Sequence, residues 1–131
     1  MIALLAAVGA VAAGAAGIPL CVADDGPAPG AVARAVRWWG AHGVEFDVLA
    51  PGEGIPGLTC VAVFVSADLL DGGLRGVTVF DPRYAPVVGL ARRHDAIALA
   101  HELGHVAYGV AHDPRPHRIL SAGPDHPRWR L

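Results

Sequence analysis

The sequence predicts an α+β fold: a small twisted mixed β-sheet of about four to five strands packed on two helices, with an irregular C-terminal loop region. Three observations carry this. Apolar or alternating runs of strand length recur through the chain before residue 81. Two segments have helical spacing, one after the first strand and one after the last. Beyond Asp113 the chain is punctuated by Pro114, Pro116, Gly123, Pro124 and Pro127, which suits turns rather than regular elements.

Residues 1–17 are expected to be a signal peptide or N-terminal membrane anchor, and 18–131 a single domain. Met1 to Ala23 has no charged side chain, and Ile2 to Ala16 is an apolar run of signal-peptide length. Ala13-Gly14-Ala15 and Gly14-Ala15-Ala16 both resemble small-residue cleavage sites. The run is short for a spanning helix but suits a tilted anchor, so a membrane tether is one expected partner. No lysine or arginine precedes it, and a buried first element is the alternative reading.

Ile18 to Ala23 (IPLCVA) reads as a short buried strand, followed by the turn cluster Asp24 to Gly30. Val32, Ala35, Val36 and Trp39 form the apolar stripe of a helix over Ala31 to His42, ended by Gly43. Val44 to Leu49 (VEFDVL) alternates as a half-buried strand does, so the first three elements form a right-handed β-α-β unit with parallel strands. Cys60 to Val65 (CVAVFV) is a continuous apolar strand. Gly76 to Phe80 (GVTVF) is a further strand, paired antiparallel with a neighbour through the turn at Asp71-Gly72-Gly73. Pro86 to Arg93 reads as loop. Asp95 is the expected N-cap of a second helix reaching about Tyr108, with Leu99, Leu103 and Val106 on its core stripe.

Net charge is -2, which offers no basic groove, so no nucleic-acid partner is expected. Two cysteines, Cys21 and Cys60, permit one disulfide in an exported chain; two buried thiols are the other reading.

The second helix carries the chemistry. His101 and His105 are four residues apart, so both imidazoles lie on one face and can share a Zn²⁺ ion at about 2.1 Å each. Glu102 can reach a water on that ion, whose pKa the metal lowers, and act as general base without ligating. By residue frequencies HExxH arises by chance on the order of one time in a hundred in such a chain, and a capped amphipathic helix makes chance a poorer account still. A catalytic zinc usually takes a third protein ligand, and His112, Asp113, His117 and His126 are the candidates.

The residues His101-Glu102-xx-His105 and Gly109-xx-His112-Asp113 resemble the HExxHxxGxxH signature of the metzincin metallopeptidases, in their minimal matrixin-like form. The resemblance implies a zinc endopeptidase acting on a peptide or protein substrate, with His101, His105 and His112 as ligands and Glu102 as general base. It also implies a substrate groove along the edge strand before the helix, which makes Val77, Val79 and Tyr84 substrate-binding candidates. Leu120 stands where the family has a methionine under the zinc, as an apolar floor.

One residue too many separates His105 from Gly109. It adds about 1.5 Å of rise and about 100° of rotation, which a π-bulge or a longer helix with a rearranged turn must absorb. Gly109 is expected to remain the turn glycine because it takes the left-handed conformation at no steric cost. Secretion or attachment to the cell envelope, as a monomer, completes the expectation. Two alternatives stay open: a cytoplasmic HExxH peptidase of the repressor-cleaving kind, whose third ligand lies on a following helix, and a zinc-stabilised binding module without turnover.

Overall fold

A computed structural model describes residues 17–109. They form β1 (Ile18–Val22), α1 (Pro29–Ala41), β2 (Phe46–Val48), β3 (Val61–Val65), a 3₁₀ turn (Ala67–Gly72), β4 (Gly76–Val79), β5 (Val87–Leu90) and α2 (Ala96–Tyr108). The strands make one five-stranded mixed sheet in the order β2-β1-β3-β5-β4. Every neighbouring pair is parallel except β4 with β5. The α+β class, the mixed sheet and the two packed helices stand as the sequence predicts.

The β-α-β start follows from its side chains. Pro29 opens α1, where its missing N–H costs nothing. Ala31, Val32, Ala35 and Trp39 turn inward at helical spacing. β2 is shorter than its alternating pattern suggests, because the Val44 N–H donates to the Trp39 carbonyl and so belongs to the helix exit.

Two expectations fail at the other side of the sheet. Pro86 to Arg93 is not a loop: Val87–Leu90 is a strand between β3 and β4. A proline and a glycine ordinarily punctuate a chain, but here both fit the strand. Pro86 precedes it, and Gly89 clears the ring of Phe64, whose Cζ would lie 2.8 Å from an added Cβ. As a consequence β4 does not pair across the Asp71-Gly72-Gly73 turn. That segment closes the 3₁₀ turn, with Gly73 in the left-handed region at φ 75°, and β4 pairs antiparallel with the later strand instead.

Both helices cover one face of the sheet. Leu20, Phe46, Val61, Val63, Val88 and Leu90 meet Ala35, Trp39, Leu99, Leu103 and Val106 in a single core. Trp39 also donates from Nε1 to the Ala100 carbonyl at 2.8 Å, which locks α1 to α2 one residue before His101.

Cys21 and Cys60 are joined by a disulfide across 39 residues, linking β1 to the chain just before β3. Gly54 lies over it, where an added Cβ would stand 2.9 Å from the Cys60 sulfur. Closing a loop of that length stabilises the fold by roughly 4 kcal/mol on a chain-entropy estimate. Cys60→Ser is therefore expected to lower the melting temperature by about 10 °C or more. Calorimetry of the variant beside the reduced wild type checks this, and a shift below about 2 °C in both rules out the stabilising role.

Candidate metal centre

The centre is built on α2. Asp95 caps the helix as predicted, its Oδ1 accepting from the Ala98 N–H at 3.0 Å. Arg75, just before β4, grips the same carboxylate from the side: Nε donates to Oδ2 at 2.8 Å and Nη2 to Oδ1 at 2.7 Å. The helix N-terminus is thus fixed to the edge strand by a bidentate ion pair. Such a pair holds orientation as well as charge. The other end is set by Gly109, in the left-handed region at φ 62°, whose N–H donates to the His105 carbonyl. The helix is α-helical through Tyr108 with no π-bulge. All three residues between His105 and Gly109 belong to the helix.

α2 is buried on almost all sides: His101 is 1% exposed and Glu102 4%, while His105 is half-buried. This excludes a solvent-facing helix that happens to carry two histidines. The His101 and His105 Nε2 atoms lie 3.2 Å apart with their rings nearly perpendicular, at 86°. Two nitrogens at that distance cannot both keep a proton between them; one shared proton or one shared cation satisfies both. Two imidazoles each about 2.1 Å from a tetrahedral ion would stand about 3.4 Å apart, so the spacing fits a first-row divalent metal. Glu102 completes a cluster whose ligand atoms all fall within 4.8 Å of one another. Its Oε2 is 3.8 Å from His101 Nε2. Imidazole and carboxylate donors suit zinc and do not by themselves select it over other first-row ions.

Glu102 is held from the sheet side. The Thr78 hydroxyl lies 2.8 Å from its Oε1 and 3.2 Å from its backbone carbonyl. Gly76, two residues earlier on the same face of β4, lies against the Glu102 side chain, where an added Cβ would stand 2.9 Å from Cγ. Neither Gly76 nor Thr78 was identifiable from sequence, and the same is true of Arg75 and Trp39. They reach the helix from 20 to 61 residues away, and the motif carries no trace of them.

The structure thus brings together His101, Glu102 and His105. Of the substrate-binding candidates, Val77 and Val79 lie on β4 and Tyr84 in the turn after it. Val77 and Val79 pair with Gly89 and Val87 and alternate with Gly76 and Thr78, so they project from the opposite face of the sheet. Val79 and Tyr84 are exposed. Tyr84 packs under the Arg83 guanidinium, which also binds Asp81 and holds that carboxyl below its usual range. β4 is one of the two edge strands, the other being β2, and has β5 as its sole neighbour among the described residues. His42 is engaged at the end of α1, its ring stacked on Trp38. His112, Asp113, His117, Leu120 and His126 lie outside the described residues, as does the apolar segment 1–16.

An open pocket of about 690 Å³ lies at the β1–β3 side of the sheet, lined by Val22, Asp24, Val32, Leu49, Phe64 and Arg93 among others. It shares no residue with the cluster. No helix among the described residues is long and apolar enough to cross a membrane. No family model, curated protein or solved structure matches the chain.

Proposed function

We propose that the chain is a zinc-dependent endopeptidase of the metzincin type, with His101, His105 and His112 holding the metal and Glu102 as general base. The observation that carries this is the convergence of two imidazole nitrogens at 3.2 Å beside a buried carboxylate, under an edge strand. A buried Glu next to two histidines, fixed on one oxygen by a hydroxyl, is a costly arrangement for a merely structural helix. It suits a group that must accept and return a proton at one position.

When bound, zinc would polarise the scissile carbonyl and acidify the attacking water. The protein's part is proton handling and placement. Glu102 takes the proton of the attacking water and returns it to the leaving amine. The outer edge of β4, which pairs with no further strand among the described residues, suits an extended peptide, which would add as a further strand by backbone hydrogen bonds. Val77, Val79 and Tyr84 then contribute from the strand and the turn after it.

The Cys21–Cys60 disulfide supports the exported or envelope-tethered setting, with residues 1–17 as leader or anchor. It weighs against the cytoplasmic repressor-cleaving alternative for the same reason.

The test is a diverse peptide library incubated with the full chain in three states: zinc-loaded, chelated and zinc-restored. Cleavage is expected in the first and third states and absent in the second. A zinc-loaded, folded protein that cleaves no peptide refutes the endopeptidase reading and leaves a binding module.

A further inference from the structure

We propose that the helix-facing side of the edge strand, Gly76 and Thr78, is a positioning cradle for Glu102 that selects which carboxylate oxygen takes the proton. This rests on the reading of Glu102 as general base. Thr78 touches neither metal nor substrate in this role; it acts through Glu102.

Three features combine. In the sheet register Gly76 pairs with Leu90 and Thr78 with Val88, both fully buried on the helix side, so Gly76 and Thr78 face α2. The Thr78 hydroxyl has one proton to give and two acceptors in reach, Oε1 at 2.8 Å and the Glu102 carbonyl at 3.2 Å. A carboxylate is the stronger acceptor, so the proton goes to Oε1. That occupies one oxygen and turns Oε2 towards His101 Nε2, at 3.8 Å.

Gly76 supplies the space. An added Cβ would meet Glu102 Cγ at 2.9 Å, Oε2 at 3.0 Å and Cδ at 3.3 Å. Any larger residue would push the carboxylate out of this arrangement. A glutamate on a flexible stem has many rotamers, and fixing it on folding removes that ordering from each catalytic turnover. The strand that offers its outer edge for a peptide thus uses its inner face to aim the base. An edge strand displaced from α2 disturbs both together.

The experiment uses the full chain, zinc-loaded, with a fluorogenic peptide chosen from sequences that wild type cleaves. Thr78→Val keeps the shape and removes the hydroxyl. Its kcat is expected to fall about ten- to hundredfold, with KM within about threefold and zinc affinity unchanged. Thr78→Ser restores the hydroxyl and is expected to return kcat to within about threefold of wild type. Gly76→Ala is expected to lower kcat comparably with Thr78 intact. A crystal structure of Thr78→Val gives a readout independent of turnover, and there the Glu102 carboxylate is expected to have moved.

A Thr78→Val variant with wild-type kcat overturns the cradle, as does a loss that Thr78→Ser fails to restore, or a carboxylate that keeps its place. Any of these beside an inactive Glu102→Gln leaves the general base standing and removes the cradle alone. A wild type that hydrolyses nothing, or a fully active Glu102→Gln, removes both.

Discussion

Replacing Glu102 with Gln is expected to reduce peptide hydrolysis by about 10²–10⁴-fold in kcat while zinc stays bound. The substitution suits the site because it changes one property. The glutamine carbonyl can still accept from Thr78, as Oε1 does at 2.8 Å, and the side chain keeps its length. The amide cannot take a proton from water. Glu102 is 4% exposed, so removing its charge relieves a desolvation cost, and the variant is expected to be at least as stable as wild type. Kinetics, metal content and thermal unfolding together separate three outcomes. Lost turnover with retained zinc and fold supports the general base. Lost zinc makes Glu102 a ligand. Retained turnover refutes a base role.

The second large effect is expected at the imidazoles. Structural zinc sites bind with roughly 10–16 kcal/mol over four ligands, or about 3 kcal/mol each, so His101→Ala or His105→Ala is expected to weaken zinc by about 100-fold or more. The two variants differ in the apo protein. His101 is 1% exposed and its truncation leaves a buried cavity, so His101→Ala also destabilises the metal-free fold, by about 1–3 kcal/mol. His105 is only half-buried and its loss costs less. Chelator competition gives the affinities, and denaturant titration of the apo proteins gives the stabilities. Equal zinc affinity in wild type and either variant would exclude the shared metal. His112→Ala in the same titration tests the third ligand, and an unchanged affinity eliminates it.

These expectations concern the one helix whose chemistry was legible in advance. HExxH reports its own geometry, because a four-residue step on a helix places two side chains on one face wherever that helix sits. Asp95 and Gly109 were equally legible as the two ends, since capping and left-handed backbone are local preferences. The parallel pairing of β1 with β2 followed from the order of elements.

The β5 strand was not legible. Pro86 and Gly89 disguised it, and only the approach of the Phe64 ring explains the glycine. Without β5 the partner of β4 was misread, although β4 itself was recognised. For the same reason the alternation of β4 was seen without its meaning: nothing local says that Gly76 and Thr78 turn towards Glu102 while Val77 and Val79 turn away.

By itself, then, the sequence determined the two histidines and the carboxylate, the helix that carries them and the α+β class. All of these depend on spacing within a few turns of chain. Only the tertiary structure decided that the helix is buried rather than exposed, that Arg75 and Trp39 fix it from distant segments, and that the edge strand holds Glu102 by one oxygen. Those contacts span 20 residues or more, and which strand lies beside which is set by packing of the whole core.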